Sequence, residues 1–532
     1  MTSNQKPIIV TCALPYANGD IHLGHLLEHI QADVWVRFQK MLGHKCYFVC
    51  ADDAHGTAIT IKASEQNITP EELIERSYNN HLADLQHFDI SYDTYHTTHS
   101  QENEEAVYKI YKALQDNNKI YTKNIECFFD EAKQIFLADR FIKGQCPKCK
   151  ADGQYGDNCA VCGASYDPTE LINPYSTLSG TTPVLKLSEH YFVKFNDSAE
   201  LVTGFLSQKD FLPIEFKNKM NEWVVSGLKD WDISRDAPYF GIKIPNTEKF
   251  FYVWLDAPVG YLSSFIQYCN KNQISDPIKQ WNNADIYHFI GKDIVYFHSL
   301  FWSTMLHYAS LQTPKSIFVH GFLNVNGQKM SKSTGNFITA RQYIEQGTNT
   351  DFFRYYIASK VSNKIDDINF SQEEFIQKVN TDVVGKFVNI IARSSSFLAK
   401  KFDNVLADNI DDMSLLAELL NTKAEITEHY LNLEYSKMIT LFMKLCEQVN
   451  QYFDTNTPWV IAKDESRLHD LHQIISNTIN AFKVLAIYII PVMPKLGQQI
   501  AVLLNSELSW DKIECLLLSH QIKPYQHLVN RI

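Results

Sequence analysis

The chain has 532 residues, more than one compact core usually organises, so three or four folded units are expected. Hydrophobic residues make up 45% and charged residues 21%, the balance of a globular protein and not of a disordered or fibrous one. Lys and Arg total 49 against 61 Asp and Glu, a net charge of −12, so any contact with phosphate must come from local patches and not from bulk attraction. No apolar run is long enough to span a bilayer. Residues 1–15 lack the cleavage pattern of a secretory signal. These features read as a cytoplasmic protein without a membrane partner.

In chain order, Ile8 to Leu14 is a short apolar, β-branched run that predicts a strand. Pro15 to Asp20 carries turn chemistry, and apolar residues recur at helical spacing from about Leu23 to Met41. A second strand is expected at Cys46 to Cys50, which completes a parallel strand–helix–strand unit. The same grammar returns at Ile286 to Ile290, a turn at Gly291-Lys292-Asp293, a helix to about His307, and a strand at Ser316 to His320. One doubly wound α/β sheet can use both blocks, with the intervening segment inserted between its halves. After about residue 380 the periodicity is helical over Asp382–Phe402, Leu415–Leu431, Tyr435–Phe453 and Arg467–Met493, which predicts a helical bundle.

The insertion holds Cys146-Pro-Lys-Cys149 and Cys159-Ala-Val-Cys162, two Cys-x-x-Cys pairs nine residues apart. Each pair can place two thiolates on one side of a tight turn, and two such turns make a tetrahedral four-sulfur cage. Zinc suits that cage better than iron. Four protein ligands leave no open position, so the metal is expected to be structural. The other seven cysteines are scattered through the chain, several in apolar runs, as buried thiols of a reducing compartment would be.

Where the first strand enters its helix stands Asp20-Ile21-His22-Leu23-Gly24-His25. Backbone amides and the positive helix end make a ready anion site there. Gly24 allows close approach, and His22 and His25, three apart, can donate to phosphate oxygens. Far downstream, Lys329-Met330-Ser331-Lys332-Ser333 offers lysine charge on a loop that can close over a polyphosphate. Alone, either segment would read as ordinary surface.

Together they resemble the two signatures of class I aminoacyl-tRNA synthetases, HLGH standing for the first and KMSKS matching the second in full. The likeness sharpens to the bacterial methionine-specific family. It is carried by Ala13–Asp20, Cys50–Gly56, the four-cysteine knuckle, Trp231–Gly241, Tyr252–Pro258 and Gly291–His298, and it covers essentially the whole chain.

The resemblance implies a Rossmann-type doubly wound parallel sheet split by a zinc-binding insertion and followed by a C-terminal α-helical bundle. The expected boundaries are residues 1–118 and 239–324 for the two halves of the catalytic domain. Residues 119–238 form the connective insertion, with the knuckle at about 139–165. Residues 325–380 form the linking segment with the KMSKS loop, and 381–532 the anticodon-binding bundle. The implied activity is ligation of methionine to tRNA(Met), initiator and elongator, through methionyl-adenylate, with ATP, Mg2+ and one structural Zn2+.

Positions matching the family's methionine pocket are Ala13, Leu14, Tyr16, Asp53, Trp254, Ala257, Pro258, Tyr261, Ile294, His298 and Trp302. Asp53 can pair with the ammonium group, aromatic walls suit a polarizable thioether, and Tyr16 and His298 offer hydrogen bonds near the sulfur. Ile294, His298 and Trp302 are spaced to share one helical face. His22, His25, Lys329 and Lys332 are the expected catalytic donors. Gly24 is expected to lie against ATP with them, and Gly291, Asp293 and His320 to meet its ribose and adenine. Positions matching anticodon contacts are Asn389, Arg393, Pro458 and Trp459. Gly385 stands where relatives commonly carry asparagine. No separate editing domain is expected, and homocysteine is the expected competitor. A chain of this length is expected to be monomeric.

Overall fold

The computed structural model describes residues 6–156, 159, 161, 162, 164, 166–330 and 337–532. Its centre is a five-stranded, all-parallel sheet built from β1 (Ile8–Cys12), β2 (Cys46–Asp52), β3 (Thr94–Thr97), β4 (Asp285–Gly291) and β5 (Ser316–His320). The order is β5-β4-β1-β2-β3. Ile8 pairs with Cys46 on one side and Asp285 on the other, Tyr287 with Ser316, and Val49 with Thr94. The chain therefore winds outward from β1 in one direction and later from β4 in the other. The carboxyl ends of β1 and β4 mark the switch point, where such sheets open a crevice. All of β2 is buried, as a continuous apolar strand covered on both faces should be.

Helix α1 (Leu23–Met41) crosses from β1 to β2. It is buried on nearly all sides because it lies between the sheet and the helical half. Phe38 stacks on Tyr430 at 4.4 Å, and Trp35 packs on Tyr287 at 4.9 Å. Helices α2 (Gln101–Asp116) and α3 (Val259–Lys271) pack together on the opposite face.

The chain leaves the sheet after α2 into a long antiparallel pair, Ile120–Asp130 with Val184–Val193, flanked by Trp231–Asp232. A three-stranded sheet of Ile142–Gln145, Gln154–Tyr155 and Ile172–Ser176 carries the cysteine turns. After β5, helix α4 (Thr350–Lys360) leads to the bundle of α5 (Asn389–Phe402), α6 (Tyr435–Thr455) and α7 (Leu468–Ile489).

A fully buried arginine joins the two halves. Arg354 of α4 donates to Asp33 of α1 at 2.6 Å, to the Phe88 carbonyl, and to the carbonyls of Pro491 and Val492 beyond α7. Burial alone would raise the Asp33 carboxyl, but Arg37 and Arg354 outweigh it and hold it at about 2.

Three elements differ from the periodic reading. The span Leu415–Leu431 is two helices, Ser414–Asn421 and Lys423–Leu431, which meet at Thr422. Val379–Val388 and Phe297–Trp302 are π-helical, with wider turns than the 3.6-residue spacing assumes. In the first of these, a Cβ at Gly385 would stand 3.0 Å from the Asn380 carbonyl oxygen. Glycine suits that tight approach, and the cost of a glycine inside a regular α-helix does not transfer to this position.

Candidate active site

The crevice at the switch point is a cavity of about 860 Å³. It is lined by the loop after β1, the start of α1, the end of β2, the segment around Trp254 and the ends of β4 and β5. Of the expected site residues it gathers Ala13, Leu14, Tyr16, His22, Gly24, His25, Asp53, Trp254, Gly291, Asp293, Ile294 and His320.

At the entrance, His22 caps α1. Its Nδ1 accepts from the Gly24 amide at 3.0 Å and the His25 amide at 3.4 Å, while His25 Nδ1 accepts from the His22 amide at 3.3 Å. The two rings stack at 3.7 Å. This corrects the reading of free amides at the helix start. The Leu23 amide goes to the Ile338 carbonyl, and the next two go to the His22 ring. The N–H groups that this pair carries toward the cavity side are those of the imidazoles and not these amides. With each Nδ1 accepting, the neutral ring must carry its proton on Nε2. Burial and the neighbouring His22 push His25 well below the usual histidine range, so it stays neutral. A Cβ at Gly24 would meet His22 Cε1 at 2.9 Å and Met330 Cε at 3.0 Å, so a larger residue here would displace the His22 ring or the Met330 methyl. Residues 331–336, with Lys332, and the Lys329 side chain lie outside the described residues.

Deeper in, the backbones of Tyr16 and Asp53 form an isolated parallel bridge that carries β1 and β2 past their last full pairings. Asp53 faces the cavity, and its Oδ1 is buried without a hydrogen-bond partner. Burial, then the nearby negative charge of Asp256, pushes its carboxyl well above the usual range. A half-buried carboxylate with an orphan oxygen asks for a cation. Trp254 lies flat on Phe297 at 3.9 Å and forms an apolar wall beside Ile294.

Ala257, Pro258, Tyr261, His298 and Trp302 are buried and do not line the cavity. His298 Nδ1 donates to the Ile294 carbonyl at 2.9 Å, and its Nε2 accepts from the Tyr261 hydroxyl at 2.7 Å. Burial lowers this ring to about 4, which keeps it neutral. In this structure both ring nitrogens of His298 are engaged, and one of them fixes the Tyr261 hydroxyl. The π-helical turn through Phe297–Trp302 also spoils the simple shared face of Ile294, His298 and Trp302.

Two buried groups bonded to expected site residues escaped sequence reasoning. His288 in β4 accepts from Trp302 Nε1 at 3.0 Å on Nε2, so its Nδ1 carries the proton toward Thr11. Glu28, buried in α1, accepts from the Ala13 amide at 2.6 Å and from His320 Nε2 at 2.9 Å. His320 Nδ1 donates to the Gly321 carbonyl. Burial works against a charge on His320, but the hydrogen bond and negative charge of Glu28 outweigh it and push the ring up. A glutamate inside an amphipathic helix carries no signal of its own, and only its partners reveal it.

Away from the crevice, the four cysteine sulfurs lie within 4.8 Å of one another. Cys146 to Cys162 is 3.8 Å and Cys149 to Cys159 is 3.5 Å, close to the ~3.8 Å edge of a tetrahedron with metal–sulfur bonds of ~2.3 Å. The amides of Cys149 and Cys162 point at Cys146 and Cys159. This cluster can bind a metal ion.

On the bundle, Asn389 opens α5, and Arg393 lies over the rings of Phe453 and Trp459 at 4.5 and 5.9 Å and pairs with Asp454. Pro458 is buried as the first residue of a short helix, and Trp459 beside it is 41% exposed. Among the described residues no helix is long and apolar enough to cross a membrane.

The family model for class I tRNA synthetases (M) matches residues 8–395. Methionine–tRNA ligase of Neisseria meningitidis serogroup B is 50% identical over 541 residues, which cover 99% of this chain and 79% of that protein. Methionine–tRNA ligase of Chromobacterium violaceum is 49% identical, with 99% and 78% covered. Mycobacterium tuberculosis methionyl-tRNA synthetase in complex with methionyl-adenylate superimposes with a TM-score of 0.82 at 24% identity, over 98% of this chain and 99% of that one. At that identity the likeness speaks for the fold.

Proposed function

The chain belongs to the methionine–tRNA ligases of class I, and from that premise we propose which of its residues do the work. The activity is activation of methionine with ATP, release of pyrophosphate, and transfer of methionine to tRNA. One observation supports the reading of the site above all others. The orphan Oδ1 of Asp53 shares a cavity with the capped histidine pair.

Asp53 holds the methionine ammonium group, with Ala13, Leu14, Tyr16, Trp254 and Ile294 around the side chain. Ala257, Pro258, Tyr261, His298 and Trp302 set the depth of that pocket from behind. The amino-acid carboxylate attacks the α-phosphate of ATP in line. A new C–O–P linkage forms and the bond to pyrophosphate breaks, with no enzyme nucleophile. The chain's part is positioning and stabilisation of charge on the phosphates. His22 and His25 give their Nε2–H groups to that charge, Lys332 and Lys329 add cationic charge, and Gly24 lets the nucleotide come close. Mg2+ arrives with ATP as the counter-ion of its phosphates. Gly291, Asp293 and His320 face the ribose and adenine, and Glu28 positions His320. A ribose hydroxyl of the terminal adenosine of tRNA(Met) then attacks the adenylate carbonyl and AMP leaves.

Cys146, Cys149, Cys159 and Cys162 hold Zn2+, whose role is to fold the insertion. Asn389 and Arg393 read unpaired anticodon bases, with Trp459 as a stacking surface and Pro458 as its fixed base. The cytoplasm is the compartment where this chemistry is needed. Equilibrium binding of methionine analogues tests the pocket. An analogue that lacks the ammonium group is expected to bind at least tenfold more weakly than methionine, and equal affinity would remove Asp53 from its role.

A further inference from the structure

A second cluster of potential metal ligands lies at the root of the insertion, apart from the four-cysteine turns. Cys127 on strand Ile120–Asp130, His190 on strand Val184–Val193 and Asp236 on the returning segment place their ligand atoms within 4.8 Å of one another. The antiparallel register, with Lys123 opposite His190 and Cys127 opposite Lys186, puts Cys127 and His190 on the same face of the pair. Cys127 Sγ is 3.7 Å from His190 Nε2. Zinc bonds of ~2.3 Å to sulfur and ~2.1 Å to nitrogen in a tetrahedron would set that edge at ~3.6 Å. Asp236 Oδ2 is 3.0 Å from the same nitrogen, a hydrogen-bond distance that opens by a few tenths of an ångström when an ion enters.

The surroundings match what metal sites require beyond their ligands. The other ring nitrogen of His190 donates to Asp232 Oδ2 at 2.7 Å, which turns Nε2 toward the cluster, the usual carboxylate–histidine arrangement. Asp232 is itself held by the Ser234 amide at 3.0 Å. Asp236 is oriented by the Ser188 hydroxyl, at 2.9 Å from Oδ2, and by Lys249, at 2.5 Å from Oδ1. His190 is 5% exposed, and Cys127 and Asp236 are partly open, so an ion has a path in and a fourth position for water.

We propose that Cys127, His190 and Asp236 form a second metal site, for a thiophilic divalent cation of the zinc type. Three protein ligands and a water distinguish it from the closed four-cysteine cage. Uptake replaces the Nε2 proton of His190 and the thiol proton of Cys127, so each ion bound releases two protons. The ion would tie both long strands to the segment that re-enters the catalytic sheet, next to Arg235, which lines the crevice.

The test uses the full chain with its four-cysteine site already filled by zinc. Metal analysis after equilibration with excess Zn2+ and desalting is expected to find two zinc ions per chain in the parent protein and one in Cys127→Ser. Titration of the zinc-loaded parent protein with Co2+ alone is expected to give tetrahedral absorption bands with a thiolate charge-transfer band, and Asp236→Asn is expected to weaken that binding at least tenfold. One zinc per chain in the parent protein, a second zinc retained by Cys127→Ser, or cobalt binding without the thiolate band would each overturn the proposal. The cobalt experiment on the parent protein needs no variant to fold.

Discussion

Asp53→Asn separates affinity from stability in opposite directions. The substitution keeps the shape of the side chain and removes its charge. Hydrogen bonds to charged groups contribute ~1.5–3 kcal/mol, so loss of the ion pair with the ammonium group should weaken methionine binding about 10- to 150-fold. The free protein should respond the other way. Its Asp53 carboxyl is pushed up by burial and by Asp256, and one oxygen has no partner. Above an unfolded-state value of ~3.9 the unfolded chain releases this proton while the native chain keeps it, so stability falls as pH rises from there toward the raised native value. The asparagine variant lacks that loss and should melt at a higher temperature at neutral pH. Calorimetric titration with methionine and thermal melts of the ligand-free protein read both effects. Methionine affinity within threefold of the parent, or a lowered melting temperature at neutral pH, would rule out this role for Asp53.

The other expectations follow from single groups. Arg354→Met leaves Asp33 buried with Arg37 and Ser91 as its remaining partners and should cost about 3 kcal/mol, near the lower end for a broken buried pair; denaturant unfolding measures it, and a loss under 1 kcal/mol would contradict the clamp. His298, lowered to about 4 by burial, should cost stability as pH falls from ~6.5 to about 4, because the unfolded chain takes up the proton first; the span corresponds to about 3 kcal/mol, and His298→Gln should flatten that part of the pH–stability curve. Trp459→Ala should weaken tRNA binding by the ~1–3 kcal/mol of one stacked base and leave pyrophosphate exchange unchanged. Lys332→Ala should lower the activation rate about 10²–10³-fold, as loss of one charge-stabilising donor does, with far less effect on methionine affinity; an equal loss in both would undercut its role.

The sheet was legible because β1, β2, β4 and β5 are apolar runs bounded by turn residues. β3 was missed because Thr94–Thr97 is short, and half-polar at its outer end, with no period to read. The helix breaks were missed for a related reason. A wide turn at Phe297–Trp302 or a joint at Thr422 changes geometry without changing which residues are apolar. In the crevice, Asp53 and the histidine pair were legible through the family resemblance carried by Cys50–Gly56 and by the two signatures together, since alone the histidine segment reads as ordinary surface. The direction of their hydrogen bonds did not follow, since only the folded chain gives the Gly24 and His25 amides to the His22 ring. Glu28 and His288 gain meaning only through His320 and Trp302, far away in the chain.

In the proposed function the crevice recognises methionine and joins it to AMP. Amino-acid-dependent exchange of labelled pyrophosphate into ATP, run with each standard amino acid in turn, tests it most directly. Exchange is expected with methionine, and background with the rest. Exchange driven by a different amino acid would contradict the pocket, and no exchange from folded, metal-loaded protein would contradict the reaction itself.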